Sequence, residues 1–251
     1  MFGKQTYEQL GLSPKTIQKE IDKIVFDFPP LVPRACVISF DTTCFGKLGV
    51  SACRDITNKE NLLWVFVEHE NQSPYDYMYN KLKEANFKIL GIVVDGRKPF
   101  YSSFDKVPIQ MCHFHMAKIL SRYITRNPNL EVNKDLWDIW FRMDLLSASK
   151  LHNELHQWYC KYADELVQGY IDPRDNRWHY SKERTLKAYL SLRSFTRYLF
   201  TYKTSKWIPN TNNSTEGMFS QMKKKLEVHT GLNWMRKMKI IHYYLLNNKP
   251  K

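Results

Sequence analysis

The chain has 251 residues, and its 38 lysines and arginines exceed its 25 aspartates and glutamates, for a formal net charge of +13 at pH 7. Hydrophobic residues make up 43% and aromatic residues 14%, which excludes a disordered chain and allows one large domain or two modest ones. The basic excess is spread along the chain, which predicts a broad basic surface and a polyanionic partner, although solubility explains part of it.

The cysteines and the amino-terminal residues indicate the compartment. The five cysteines form no CxxC pair and are expected to be reduced thiols; they are Cys36, Cys44, Cys53, Cys112 and Cys160. The sequence MFGKQTYEQL lacks the apolar stretch of a signal peptide, and no apolar run reaches the length of a membrane span. We therefore expect a soluble intracellular protein without a membrane partner.

Residues 5–24 predict two short helices joined by a turn at Gly11, the second capped by Ser13 with Pro14 at its first position. This layout is similar to the last two helices of a helix-turn-helix, although a plain helical hairpin fits equally well. We assign residues 1–28 to a partial DNA-binding segment. The side chains placed to meet DNA are Lys15, Thr16, Gln18 and Lys19.

A series of strand-like runs begins after the proline-rich boundary at 29–33. The predicted order is strands at 35–40, 49–55 and 61–69, a helix from Ser73 to about Ala85, a buried strand at 87–96, a helical link near 98–104 and a strand at 107–114. This is the order of an RNase H-like fold. We therefore predict an α/β protein in which helices flank a mixed sheet.

The remaining sequence has helical periodicity. Residues 116–208 predict an all-helical insertion, interrupted at 169–176, before a last catalytic helix. The predicted catalytic core thus has a first part at 35–115 and a last part at 209–251. The helix near Asn210–Lys225 is predicted to begin with Asn213 as its cap and Glu216 completing a capping box.

Three carboxylates occupy suggestive positions in this scheme. Asp41 follows the first strand and Asp95 ends the fourth, where parallel strands usually present ligands, and Glu216 lies on the later helix. Three close carboxylates repel one another unless cations neutralise them, and oxygen ligands suit magnesium or manganese. Two such ions support in-line phosphoryl displacement. Taken singly, Asp41 and Asp95 could be ordinary turn residues and Glu216 an acidic helix cap.

Cys112 and His115 form a second signal, a CxxH pair within CHFH. Zinc would need another ligand pair, and the other histidines offer none at good spacing, so we favour a buried thiol and a histidine near the active-site edge. The charged and neutral forms of such a histidine are both accessible near pH 7.

Together, DTT at 41–43, VVDG at 93–96, CHFH at 112–115 and NNSTEGMFSQMKKKL at 212–226 resemble a DDE transposase of bacterial insertion sequences, in the Mutator-like and hAT-like group. The resemblance implies that Asp41, Asp95 and Glu216 are the catalytic, metal-holding triad, with Cys112 and His115 as the signature pair beside it. It implies Mg²⁺ or Mn²⁺, two ions in number, as cofactor. The missing amino-terminal modules of that family suggest a truncated copy.

The resemblance also implies the function: metal-dependent DNA cleavage and strand transfer at the ends of a transposable element. The implied partners are element ends, target DNA and further copies of the chain, and the implied location is the bacterial cytosol at the nucleoid. A catalytically idle DNA-binding protein and an RNase H-like nuclease are the alternatives. Further side chains expected to contact DNA are Lys203, Lys206, Trp207, Lys223 and Lys224.

Overall fold

The computed structural model describes residues 11–69, 71–96, 104, 107–227 and 231–248. Its main sheet has five strands in the order β3-β2-β1-β4-β5. The strands are β1 (Ala35–Phe45), β2 (Leu48–Asp55), β3 (Glu60–Val67), β4 (Lys88–Val94) and β5 (Ile109–Met111). Strand β1 pairs antiparallel with β2 and parallel with β4, and β2 pairs antiparallel with β3. The predicted fold class, an RNase H-like mixed sheet flanked by helices, is confirmed.

The described helices follow in chain order. They are α1 (Pro14–Asp22), α2 (Ser73–Glu84), α3 (His113–Ile124), α4 (Glu131–Phe141), α5 (Ala148–Val167), α6 (Glu183–Phe195), α7 (Thr201–Thr204), α8 (Asn213–Glu227) and α9 (Trp234–Asn247). Single 3₁₀ turns lie at Met143–Leu145 and Thr196–Tyr198. Strands β6 (Gly169–Asp172) and β7 (Arg177–Tyr180) form a separate two-stranded sheet.

The chain divides into two compact units. The first comprises Met1–Pro108 and Asn212–Lys251, and the second comprises Ile109–Thr211. The second unit is an internal segment, so the first is built from two separated stretches of sequence.

In the first unit, side chains alternate between the two faces of the sheet, as strand geometry requires. On one face, the Phe40 ring lies edge-on to Tyr75 of α2 at 5.4 Å, and Thr42 donates to or accepts from the Tyr75 hydroxyl. On the other face, Val50 and Ala52 belong to a buried apolar cluster with residues of α1, α8 and α9. Helices therefore cover both faces, and the sheet is the centre of the core.

Helix α1 illustrates how sequence signals place an element of this unit. The Ser13 side chain accepts from the Thr16 amide at 3.2 Å and Pro14 is the first helical residue, as predicted. Ile17 and Ile21 are buried in the same cluster as α8 and α9. The first of the two predicted amino-terminal helices lies outside the described residues.

The second unit is built around α3 to α6. The indole of Trp158 on α5 stacks on Tyr189 of α6 at 5.2 Å and donates to the Val132 carbonyl of α4 at 3.0 Å. A buried hydrogen bond of 2.8 Å joins Thr185 of α6 to Asn133 of α4. These contacts tie three of its helices together, as the helical periodicity of this stretch predicts.

Several predicted boundaries are wrong. Strand β1 continues to Phe45 because its pairing with β2 runs on to the Phe45–Leu48 pair. The predicted strand at 107–114 is β5 alone, and His113 begins α3, since His113, Met116, Leu120 and Ile124 are buried at helical spacing. Helix α8 begins at Asn213, which is therefore its first residue and not its cap.

The predicted helical stretches also differ from the structure at two places. The insertion is mostly helical but not entirely so, because the break at 169–176 contributes β6 and the turn of the β6–β7 hairpin. Of the predicted helical link near 98–104, Phe104 alone is described, and its ring stacks on Phe40 at 5.6 Å.

Candidate active site

The register of β1 and β4 relates Asp41 to Asp95. Ser39 pairs with Val93 in the parallel ladder, and the two aspartates each follow two residues later. Neighbouring strands lie about 4.8 Å apart, so the two positions are level at the carboxyl ends of adjacent strands. Side chains two residues apart in a strand share a face, so Asp41 points to the face of Ser39, while Asp95 directly follows Val94, the last residue of β4.

Asp41 lies inside β1 and not after it. It pairs with Ala52 of β2, while the pairing of β1 with β4 ends at Ser39. Beyond that point β1 has a strand neighbour on one side, and the Asp41 carboxylate accepts from the Thr42 amide at 2.8 Å. Asp41 and Asp95 are both partly buried. The pairing of β1 with β4 thus ends two residues before Asp41.

Helix α8 is attached to the same face of the sheet. The hydroxyl groups of Ser39 and Thr215 are fully buried and lie 2.7 Å apart. The Arg54 guanidinium, from the residue paired with Ser39, donates to the Ser214 hydroxyl at 3.0 Å. Glu216 is the next residue along the helix and is partly buried. Two polar contacts thus hold the first turn of α8, and with it Glu216, beside β1.

Apolar packing holds the rest of α8. Met218, Phe219 and Met222 lie in one buried cluster with Val50 and Ala52 of β2. Because Ala52 is the partner of Asp41 in the ladder, the face that carries α8 is the face to which Asp41 points. Asp41 therefore points to the sheet face on which the first turn of α8, with Glu216, is held, and Asp95 directly follows the neighbouring strand β4.

The donor set fits a hard divalent cation, since carboxylate oxygens are the ligands that Mg²⁺ and Mn²⁺ prefer. The three residues come from a strand, a strand end and a helix, the rigid elements that position metal ligands well. The arrangement can balance concentrated negative charge with cations and so serve phosphoryl chemistry.

A second group of metal-ligand side chains lies in the β6–β7 hairpin, within the second unit. Among the described residues, one set of three ligand-type side chains brings its ligand atoms within 4.8 Å of one another: Asp172, Asp175 and His179 in the β6–β7 hairpin. The sequence interpretation did not identify this set. Arg174 donates to both Asp172 oxygens, at 3.0 Å and 2.5 Å, and His179 lies 3.1 Å from Asp175. Arg174 thus balances the charge of Asp172, and His179 is within hydrogen-bond distance of Asp175.

Cys112 and His115 lie at the start of α3 in the second unit. Cys112 is fully buried and directly precedes the helix, and His115 is partly buried in its first turn. Burial, with a smaller contribution from the Lys118 ammonium, lowers the pKa of His115 to about 4. His115 is therefore neutral at pH 7, and the expectation that both of its forms are accessible there is wrong.

The side chains predicted to contact DNA differ in their exposure to solvent and in the contacts that they already make. Lys15 and Lys19 on α1 are exposed and Gln18 is partly buried, whereas the Thr16 hydroxyl is 2.9 Å from that of Ser13. Lys224 on α8 is exposed, and Lys223 is partly buried beside the Phe45 ring. Helices α1 and α8 thus carry accessible basic groups in the first unit.

In the second unit, Lys206 is exposed and the Trp207 side chain is 70% exposed. Lys203 differs, because its ammonium donates to the carbonyls of Asp144 and Leu146 at 2.7 Å and 2.6 Å. Two of its three protons are thus used inside the protein, which favours a structural part for this lysine.

Comparisons with known proteins give limited results. No family model matches the chain, and no curated protein matches it. Among solved structures the chain is similar to the Drosophila P element transposase strand transfer complex, with 11% identity, a TM-score of 0.44, and coverage of 98% of this chain and 89% of that chain. A similarity at this level does not establish a shared family. Within the described residues, no helix combines the length and apolar character needed to cross a membrane.

Proposed function

We propose that the protein is a transposase that cuts DNA at the ends of a transposable element and joins those ends to target DNA. The observation that carries this proposal is the β1–β4 register: Asp41 and Asp95 each lie two residues beyond the Ser39–Val93 pair, at the end of the sheet where the first turn of α8 contacts Ser39. A triad of acids on an RNase H-like sheet suits phosphodiester chemistry better than hydride or acyl transfer.

In this proposal Asp41, Asp95 and Glu216 hold Mg²⁺ or Mn²⁺, and two ions together would stabilise the attacking and leaving oxygens of an in-line displacement. The three side chains do not meet the 4.8 Å spacing, within the described residues, that the hairpin group meets. Bound cations would balance the mutual repulsion of the three carboxylates and draw them together.

The DNA would be cut by water at the element end, and the freed 3′ hydroxyl would then attack the target phosphodiester in line. Lys223 and Lys224 would hold phosphates beside the triad, because α8 carries them two turns after Glu216. Lys15, Thr16, Gln18 and Lys19 on α1, and Lys206 with Trp207, are proposed as further DNA contacts. Lys203 is the weakest of the proposed contacts because of its internal hydrogen bonds.

The more specific parts of the proposal are a relation to Mutator-like and hAT-like bacterial insertion-sequence transposases, assembly of several copies on DNA, and work at the nucleoid of the bacterial cytosol. The motifs around Asp41, Asp95, Cys112 and Glu216 support them. Cys112 and His115 are proposed to belong to the active-site edge and not to a zinc site.

The proposal is tested with the purified chain, Mg²⁺ and a labelled DNA fragment carrying the sequences that flank its own reading frame. Asp41→Asn, Asp95→Asn and Glu216→Gln are each expected to reduce cleavage on the order of 10³-fold or more, because ligands of one metal site act as a unit. Glu227→Gln is the matched control, since Glu227 is an exposed acid at the other end of α8.

The outcomes separate the candidate functions. Cleavage followed by strand transfer supports a transposase, and cleavage without transfer supports a nuclease of the same fold. Specific binding without either reaction supports a catalytically idle DNA-binding protein. Substantial cleavage by Glu216→Gln would remove that residue from the site.

A further inference from the structure

A group of basic and aromatic side chains surrounds the turn between β1 and β2. We call it the turn patch and define it as Phe45, Lys47, Lys223, Trp234 and Lys237. Gly46 and Lys47 form a two-residue connection, and Gly46 has φ +70°, a conformation that glycine adopts without strain. This turn lies beside two helices. The carboxyl-terminal half of α8 contacts the end of β1, and the first turn of α9 contacts Gly46.

Three contacts assemble the turn patch. The Lys223 ammonium lies 6.0 Å from the centre of the Phe45 ring, and the Lys237 ammonium lies 5.2 Å from the centre of the Trp234 ring. The Trp234 indole also contacts the turn, because a Cβ placed on Gly46 would lie 3.8 Å from its Cη2 atom. The patch thus joins residues from β1, the turn, α8 and α9 within the first unit.

The charges of the turn patch are not balanced inside the protein. Within the described residues, Lys47, Lys223 and Lys237 take part in no ion pair, whereas the neighbouring Arg236 binds Asp22 at 2.7 Å. Lys47 is exposed, and the Trp234 side chain is 46% exposed although it is a large ring on a helix. Unpaired ammonium groups around an open indole suit a polyanion that carries flat rings.

The patch lies on the sheet face to which Asp41 of the proposed triad points. Phe45 is four residues after Asp41 on β1 and points to the same face, so about 13 Å separates them along the strand. A strand that passes the triad can therefore reach the patch.

We propose that the turn patch binds DNA next to the cleaved phosphate, with Trp234 stacked on an unpaired base and Lys47, Lys223 and Lys237 against phosphates. This inference rests on the proposed function and adds to it a site for single-stranded DNA next to the cut. An open indole favours an unpaired base over a base pair, since the faces of paired bases are covered by their neighbours.

The test measures binding without cleavage, by fluorescence anisotropy in EDTA, with a labelled single-stranded oligonucleotide and the matching blunt duplex. Trp234→Ala is expected to weaken single-strand binding about tenfold and duplex binding less than about twofold. Met235→Ala is its control, because Met235 is the next residue on α9 and is 54% exposed without a ring. Circular dichroism checks that each variant is folded.

A double substitution, Lys47→Gln with Lys237→Gln, tests the phosphate contacts. The slope of log affinity against log salt should fall in magnitude by about 1.4 for the single strand and about 1.8 for the duplex, since each lost contact contributes about 0.7 or 0.9. The charge-matched control is Lys59→Gln with Lys88→Gln, two exposed lysines at the other end of the sheet.

Two results would overturn this inference and leave the proposed function intact. In the first, the wild-type protein binds DNA and the Trp234→Ala variant binds the single strand equally well. In the second, the Lys47/Lys237 and Lys59/Lys88 double variants change the salt slope by the same amount. If the wild-type protein binds neither the single strand nor the duplex, the proposed function is overturned as well.

Discussion

The pKa of His115 is set by burial more than by neighbouring charge. Its imidazole is partly buried at the start of α3, and desolvation of the charged form lowers its pKa to about 4. A neutral ring of this kind can donate or accept one hydrogen bond at each nitrogen but carries no charge at pH 7. Any part it plays in holding DNA is therefore one of hydrogen bonding or shape, not of charge attraction.

This pKa predicts how His115 affects stability. Between pH 6.5 and about 4 the unfolded chain binds a proton at this residue and the folded protein does not, so the free energy of unfolding rises with pH across that range. From pH 7 to pH 4.5 the wild-type protein should lose about 2 kcal/mol through His115. His115→Gln should lack this loss in urea titrations at the two pH values.

The control for this prediction is His152→Gln, which changes an exposed histidine of the same unit and should leave the wild-type loss intact. His115→Gln should also slow cleavage while the melting temperature at pH 7 stays nearly unchanged. Stoichiometric zinc in the purified protein, with loss of the fold on chelation, would contradict this view and assign Cys112 and His115 to a structural metal site.

A buried pair of hydroxyl groups is one of the two polar contacts that hold the first turn of helix α8 on the sheet. The apolar residues Met218, Phe219 and Met222 of α8 can slide against Val50 and Ala52, because apolar contact is not directional. The 2.7 Å contact between Ser39 and Thr215 is directional and adjoins Glu216. We infer that this pair sets the register of α8 on the sheet and so the position of Glu216.

Thr215→Val tests this role. It leaves the Ser39 hydroxyl buried without its present partner, which should cost about 1 to 3 kcal/mol in the free energy of unfolding. Ser39→Ala combined with Thr215→Val should cost less than the sum of the two single changes, because no orphaned hydroxyl remains. Urea unfolding of the four proteins of this cycle gives the coupling.

Cleavage measured on the same four proteins separates position from stability. The double variant should regain much of the stability but not the rate, because the directional contact is absent in it. Equal recovery of both would mean that apolar packing and the Arg54–Ser214 contact position Glu216 without the Ser39–Thr215 pair.

The charge of the whole molecule would set the general affinity for DNA that the proposed function requires. A net charge of +13 is spread over both units, and part of it is already used in ion pairs such as Arg142 with Glu154 at 2.8 Å and Arg34 with Asp55 at 2.8 Å. Lysines without such partners release counterions from DNA when they bind phosphates. The strength of nonspecific binding should therefore fall steeply as salt rises.

Substitution of Lys223 and Lys224 by glutamine is expected to lower the magnitude of the salt slope by about 1.8 on duplex DNA, about 0.9 for each phosphate contact. Lys203→Gln should change it by less than about 0.3, because the Lys203 ammonium is bound to two carbonyls and is not proposed to reach phosphate as readily. Filter binding over a range of salt concentrations measures all three proteins. An unchanged slope for the α8 variant would place the DNA on another surface.

Local signals in the sequence determined much of the first unit. The Ser13–Pro14 start of α1, the apolar run of β4 and the helical spacing of Met218, Phe219, Met222 and Leu226 each depend on neighbouring residues alone, and each is present. The order of strands and helices along the chain was therefore enough to predict the RNase H-like sheet and to select Asp41, Asp95 and Glu216 as candidates.

The tertiary structure decided what depends on pairing between distant segments. The length of β1 follows from its ladder with β2, and the level positions of Asp41 and Asp95 follow from the pairing of Ser39 with Val93. The start of α3 at His113 and the β6–β7 hairpin likewise depend on burial, which short windows of sequence do not record. The pKa of His115 and the turn patch have the same origin, because desolvation and contacts arise only when segments far apart in the chain pack together.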